Sequence, residues 1–237
     1  MYYLSEVVGL NLELVNSMRM KSKLKLTCLL ISTLLTAALN QACTRSLDPE
    51  PPCGFVQSSE LQRVSWKGSL PVRFMIHESV PVVAFDAVRA ARDHWNKKMG
   101  AQVFSLEIFE VGGPNQPRQD DVNIIYWLDN WESDKGAEQA RTTIYWTGSR
   151  IYEADIRVNA QFTFHFKDTR NELGEIDGVD LESLMIHEFG HALGLAHRAE
   201  SQSVMQTTLA SGTHRRELSK SDTESLKCEY GEKHFQL

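Results

Sequence analysis

The chain is poor in the features that define the extreme protein classes. It has 4 cysteines in 237 residues, too few for a small scaffold framed by several disulfides. Its formal net charge is -6 and no basic run lies within its body, so the electrostatic footprint of a nucleic-acid-binding protein is missing. The hydrophobic stretch from Leu26 to Leu39 falls short of the roughly 20 residues that a membrane-spanning helix needs. No internal repeat stands out. Ile125-Tyr126-Trp127 and Ile144-Tyr145-Trp146 resemble each other, but two aromatic strands of one sheet account for both. With 42% hydrophobic and 24% charged residues, the composition is that of one ordinary globular domain. A single core of about 170 to 180 residues is expected, as a monomer.

What is present begins with an export pattern. Lys21, Lys23 and Lys25 precede the short apolar stretch, and Met20 opens it, as in a secretory signal. Residues 1 to 19 receive no function, as a long leader or an upstream extension. Cys28 leaves with the signal, so Cys43, Cys53 and Cys228 remain, an odd number where thiols usually pair. Cys43, after Leu39-Asn40-Gln41-Ala42, resembles the lipid-modified cysteine of bacterial lipoproteins, although Asn40 stands where leucine is usual. The chain is therefore expected in the cell envelope as a lipoprotein, or secreted after ordinary cleavage. If Cys43 is lipidated, Cys53 and Cys228 are left as a candidate disulfide.

The chemistry is concentrated in His187-Glu188-Phe189-Gly190-His191-Ala192-Leu193-Gly194-Leu195-Ala196-His197. On a helix, residues four apart lie roughly 40° apart around the axis and one turn along it. His187 and His191 therefore face one metal ion. Glu188 falls beside them, placed to meet a water rather than the metal, as a general base must be. Gly194 is a natural helix stop, because the left-handed cap is easy only for glycine, and the turned chain brings His197 back as third ligand. Three protein ligands leave one position open, which separates a catalytic zinc from a structural one. Two histidines and a glutamate at this spacing occur by accident in about 3% of chains this long, and fixing Gly194 and His197 lowers that by a further factor of roughly 400.

These residues resemble the extended signature of the metzincin metallopeptidases, His-Glu-x-x-His-x-x-Gly-x-x-His followed by a methionine turn. Met205, in Ser203-Val204-Met205-Gln206, is similar to that methionine, and its short distance from His197 resembles the matrixin branch. The resemblance implies an α/β (α+β) fold: a twisted, mostly parallel five-stranded sheet with an antiparallel edge strand, an active-site helix and two further helices. It also implies one catalytic zinc held by His187, His191 and His197, and an endopeptidase acting through Glu188 on protein substrates in extended conformation. The stretch Ile151 to Asn159 resembles the edge strand that frames the matrixin cleft, and the loop 207–218 the wall of the pocket for the residue after the cleaved bond. Arg157 and the scarcity of other ligands nearby argue against the structural zinc of animal matrixins. Gln206-Thr207 replaces the usual tyrosine-proline, so substrate preference does not carry over. Pro51-Pro52-Cys53-Gly54 faintly resembles the cysteine switch of matrixin propeptides, an alternative to the disulfide. Two readings compete with the peptidase: a zinc-containing but non-catalytic binding module, and a structural lipoprotein of the envelope.

Periodicity places the motifs. A polar, proline-rich linker is expected over 44–65, then the catalytic domain over 66–237. Strands are predicted at Pro71 to Ile76, Val103 to Val111, Val122 to Trp127, Arg141 to Trp146 and Tyr152 to Val158, where β-branched and aromatic residues dominate. Gly112-Gly113-Pro114-Asn115 reads as a loop. A helix is predicted from Pro81 to Met99, with Phe85, Val88, Trp95 and Met99 on one face and Gly100 as its stop. Asp180 is the expected N-cap of the histidine-bearing helix, whose buried stripe is Leu181, Leu184, Met185, Phe189 and Ala192. A last helix is predicted over 219–228. His77, His94, His165, His214 and His234 lack partners at ligand spacing and read as surface or interior residues. Asp120, Asp121 and Asp168 are carboxylates of the kind that bind calcium, but acidic loop residues are usually only solvated, and calcium is left open.

Overall fold

A computed structural model of the chain describes residues 8–11, 48–108, 114, 116–166 and 178–231. Its strands are β1 (Val8–Asn11), β2 (Val72–Ile76), β3 (Phe104–Ile108), β4 (Asn123–Leu128), β5 (Ala140–Thr147), β6 (Arg150–Asn159) and the short β7 (Phe164–His165) and β8 (Val179–Asp180). Three α-helices complete it: α1 (Phe85–Met99), α2 (Leu181–Ala192) and α3 (Lys220–Tyr230). Strands β3-β2-β4-β6 run parallel and β5 joins β6 antiparallel, which makes the mostly parallel five-stranded sheet; β1 adds a short parallel strand outside β5. Cys43, Asp168, His234 and most of the expected leader, signal and glycine-rich loop lie outside the described residues. Among the described residues no helix is long and apolar enough to cross a membrane.

Alternation is visible in β2, while β5 and β6 carry contiguous buried runs. In β2, Val72, Phe74 and Ile76 are buried while Arg73 is exposed, as a strand with one face on the core requires. Helix α1 buries Ala87, Val88, Ala91 and Trp95 and ends at Gly100, whose φ of 66° gives the left-handed cap. It is preceded by a 3-10 turn, Val82–Ala84, because Pro81 is extended and does not start the α-helix itself. Helix α2 has a different character: of its 12 residues only Glu182 is not buried, which marks a core helix rather than an amphipathic one. Phe189 packs on Phe74 and Phe104, with ring centroids 5.6 and 4.7 Å away. Trp95 Nε1 donates to the Ile186 carbonyl at 2.9 Å, tying α1 to α2.

Two expectations change. The edge of the five-stranded sheet is β5, not the stretch 151–159: β6 is flanked by both β4 and β5. Residues 48–65 are not a linker but part of the packed body. Phe55 and Val64 are buried, Val56 N donates to the Gly194 carbonyl at 2.9 Å, and Ile151 N donates to Ser65 O at 2.7 Å. A disulfide joins Cys53 to Cys228 with Cα atoms 6.3 Å apart, fastening this segment to α3. Glu229 adds ion pairs to Arg63 and Lys67. Burial pushes the Glu229 carboxyl up, but hydrogen bonds from Ser65, Arg63 and Lys67 hold it below its ordinary value.

Candidate active site

Helix α2 is fixed at both ends before any metal is considered. At its start the Asp180 side chain accepts from Ser183 N at 3.2 Å and from Arg216 at 2.8 and 2.7 Å, satisfying one of the orphan N–H groups of the first turn. Burial pushes the Asp180 carboxyl up, but Arg216 and Ser183 outweigh it and hold it below its ordinary value. At its end, where carbonyls lack helical partners, Trp66 Nε1 donates to Ala192 O at 2.7 Å and the Tyr230 hydroxyl to Leu193 O at 2.8 Å. Gly194 then takes φ 99°, and a Cβ there would lie 2.2 Å from the Val64 carbonyl oxygen. The chain turns at a residue that only glycine fills, and His197 returns towards α2.

The three imidazoles meet there. Ring centroids are 4.5 Å apart for His187 and His191, 4.6 Å for His191 and His197, and 5.2 Å for His187 and His197. His187 Nδ1 donates to Val204 O and His191 Nδ1 to Leu195 O, each at 2.7 Å. A carbonyl only accepts, so Nδ1 carries the hydrogen in both rings and the Nε2 lone pairs point at the common centre. His187 Nε2 is buried with no hydrogen-bond partner. His191 Nε2 and His197 Nε2 lie 3.1 Å apart, close to the roughly 3.3 Å between two nitrogens on a tetrahedral zinc with bonds of about 2.0 to 2.1 Å. One ligand atom from each of the three lies within 4.8 Å of the others. Burial, then the neighbouring imidazoles, holds the His187 ring well below its ordinary value, and burial followed by His197 pushes His191 down to about 3. Neutral rings with inward lone pairs fit a zinc ion.

Glu188 is fully buried. Thr142, on the edge strand β5, donates its hydroxyl to Glu188 Oε2 at 2.6 Å. The carboxylate is thereby aimed from the sheet side. Met205 is also fully buried and packs under the histidines: a Cβ added at Gly190 would meet its Sδ at 2.3 Å and Trp95 Cζ2 at 3.2 Å. The turn carrying Met205 hangs on Asp222, which accepts from Ser203 Oγ at 2.5 Å and from Val204 N at 3.0 Å. Arg198 N donates to Met205 O at 2.8 Å, joining the turn to the segment after His197.

The residues singled out from sequence thus separate. His187, Glu188, His191, His197 and Met205 converge, while Cys53 and Cys228 are joined to each other, with Cys53 O accepting from Arg198 Nη2 at 3.4 Å beside the segment after His197. Asp120 and Asp121 direct their backbone N–H groups to Glu153, at 3.0 and 2.6 Å, and Arg118 donates to Asp120 at 2.9 Å. His94 bonds Glu182 at 2.8 Å, and His77 bonds Ser79 at 2.9 Å while its Nε2 is buried without a hydrogen-bond partner. Thr142, Gly190, Arg198 and Asp222 escaped the sequence reading. Two left a local signal: Asp222, since Ser219 and Asp222 form a capping box at the start of α3, and Gly190, as a glycine inside a helix.

The comparisons agree with this geometry. Residues 73–231 match the family model described as Matrixin. The chain is 42% identical over 53 residues to the metalloendoproteinase 2-MMP of Arabidopsis thaliana, covering 22% of this chain and 14% of that protein. It is 42% identical over 53 residues to the 5-MMP of the same plant, covering 22% and 15%. A putative matrix metalloproteinase of Trichoplusia ni ascovirus 2c is 35% identical over 58 residues, covering 24% and 12%. The chain thus spans about a seventh of the length of the relatives it matches. The family model, unlike these short stretches, takes in the five-stranded sheet from Arg73 onward, all three helices and the histidine cluster together: the chain belongs to the matrixin family.

Proposed function

We propose that the domain is a zinc-dependent endopeptidase that cleaves extended protein substrates outside the cytoplasm. The observation that carries the reading is the convergence of His187, His191 and His197 around one point, with Glu188 on the same helix. His187, His191 and His197 would hold the metal. When bound, zinc supplies a Lewis acid for the peptide carbonyl and lowers the pKa of water to about 7. Glu188 takes a proton from the attacking water and returns it to the departing amine nitrogen. Thr142 holds Oε2 of that carboxylate, and the neutral imidazoles keep their hydrogens at Nδ1, on the carbonyls of Val204 and Leu195. Burial of Glu188 and of two of the three histidines keeps bulk water away, which strengthens each polar contact.

An extended substrate suits the edge strand. The outer side of β5 takes a further strand, β1, which pairs with residues Thr143 to Trp146, and a peptide laid in its place gains the same kind of main-chain hydrogen bonds. The test is cleavage of a diverse peptide library by residues 44–237, with Glu188→Ala and a chelated sample beside it. Glu188→Ala should retain zinc and lose turnover by at least a hundredfold. Equal turnover in parent and variant would overturn the mechanism, and a folded, zinc-loaded parent that cleaves nothing would favour the binding module.

A further inference from the structure

We infer that His165, Asp180 and His214 form a second metal site, one that takes a divalent ion of zinc type and pins the loop before α3 to the start of α2. The three residues are scattered in the sequence, at the end of β7, at the N-cap of α2 and in the loop that precedes α3. In the fold one ligand atom from each lies within 4.8 Å of the other two. His165 Nδ1 is 3.7 Å from Asp180 Oδ1, and the His165 and His214 rings have centroids 5.3 Å apart. His165 is 8% exposed and Asp180 fully buried, whereas His214 is exposed. Two donors are therefore fixed by the core, and the third is the exposed His214 side chain on a loop tied to the start of α2, where Arg215 N donates to Ser183 Oγ at 2.7 Å. Donors on a tetrahedral zinc stand roughly 3.3 Å apart, so the His165 to Asp180 spacing needs little change.

The donor set decides the ion. Two imidazole nitrogens and one carboxylate oxygen suit zinc and its borderline neighbours, while calcium and magnesium prefer oxygen alone. Asp180 already has work: Oδ2 accepts from Ser183 and from Arg216 Nε, and Oδ1 accepts from Arg216 Nη2 at 2.7 Å. Each carboxylate oxygen has two acceptor positions, so Oδ1 retains one for a metal. Arg216 then acts as the partner that orients the ligand, as hydrogen-bonded partners do at metal sites. Its charge opposes a cation, so this site binds more weakly than the three-histidine centre. Glu182, 3.4 Å from Arg216, offsets part of that charge. The two centres share no residue, and Asp180 precedes His187 by seven positions, about 10 Å along the axis of α2.

The test is the zinc content of the full chain after equilibration with free zinc at neutral pH, read by elemental mass spectrometry. The parent should hold two equivalents, and His165→Gln with His214→Gln should hold one. His187→Gln with His191→Gln should also hold one, which separates this site from the three-histidine centre. Because His214 is exposed, His214→Gln alone should fold normally and weaken the second equivalent tenfold or more, since loss of even an indirect partner costs 10- to 100-fold. A cobalt-loaded parent should show the visible bands of two tetrahedral-like centres, and His214→Gln those of one. A parent with one equivalent, or a second equivalent that survives both His214→Gln and the double variant unchanged, would overturn the site.

Discussion

Asp222 offers the sharpest test of how the candidate site is held. The residue is fully buried in the first turn of α3. Its Oδ1 accepts from Ser203 Oγ at 2.5 Å; its Oδ2 accepts from Val204 N at 3.0 Å, Ser219 N at 2.9 Å and Ser219 Oγ at 2.7 Å. Asp222→Ala removes all four bonds. A bond to a charged acceptor contributes about 1.5 to 3 kcal/mol, and a buried donor left without a partner costs about 1 to 3 kcal/mol. Ser203 and Val204 are both buried, so neither donor recovers water. Because the four bonds share one carboxylate they do not add, and the expected loss is about 3 to 5 kcal/mol. For a domain of this size that lowers Tm by roughly 6 to 20 °C.

The same variant should weaken zinc. Val204 O anchors His187 Nδ1, and disturbing such a partner costs 10- to 100-fold in metal affinity. Asp222→Asn keeps one carbonyl oxygen for Val204 N and Ser219 N, so it should lose about half as much in both readouts. Urea unfolding of the zinc-free chain measures the first effect, and competition with a chelating dye measures the second. An Asp222→Ala protein within 1 kcal/mol of the parent, with unchanged zinc affinity, would refute the view that α3 suspends the methionine turn.

Other perturbations separate the remaining forces. Cys53 and Cys228 are 175 residues apart, so the bridge restricts the unfolded chain by up to about 5 kcal/mol; a reductant should lower the parent's Tm and leave Cys53→Ser/Cys228→Ser unmoved, whereas no effect on the parent would remove the bridge from the argument. Thr142→Val takes away the 2.6 Å bond to Glu188 and should cut kcat by about tenfold with zinc content intact; a change confined to KM would count against the proposed aim of that carboxylate. Burial above all, then the charges of Glu153 and Asp120, pushes the Asp155 carboxyl up to about 8 against the bond from Ile124 N. An acid raised above its unfolded value of about 3.9 loses stability as pH climbs between the two values, because only the unfolded chain gives up its proton. Asp155→Asn should therefore flatten the fall in urea midpoint from pH 5 to pH 8, and parallel curves for parent and variant would sink that reading.

The parts of the fold visible in the sequence are those whose information is local. His187, His191 and Gly194 lie within eight positions, so helix geometry alone predicts a shared face and a turn. The five strands announce themselves by their β-branched and aromatic residues, and α1 by its apolar face and Gly100. Which strand is outermost is not local. Ile151 to Asn159 resembles the edge strand of the matrixin cleft, yet it lies between β4 and β5, and its Glu153, Asp155 and Asn159 are buried. Each carboxyl has one partnered oxygen, since Asp120 N and Asp121 N bond Glu153 Oε2 and Ile124 N bonds Asp155 Oδ1, while Glu153 Oε1 and Asp155 Oδ2 are buried without a hydrogen-bond partner. Composition misleads at 48–65 for a similar cause, since Phe55 and Val64 are few among polar residues and the segment is held by backbone bonds to Gly194 and Ser149.

The supports of the candidate site are harder to read, because each pairs residues distant along the chain: 17 positions from His187 to Val204, 19 from Ser203 to Asp222 and 46 from Thr142 to Glu188. One such support did leave a mark. Nothing in the spacing of the ligands asks for glycine at 190, and glycine inside a helix costs about 1 kcal/mol relative to alanine. A core helix that carries this cost has a reason at that position, and here it is the methionine thioether, which would stand 2.3 Å from any Cβ. Gly190 and Met205 are therefore two halves of one contact. The glycine is the half that sequence displays without a known partner, and it points to close packing beneath the first two histidines before any turn is identified.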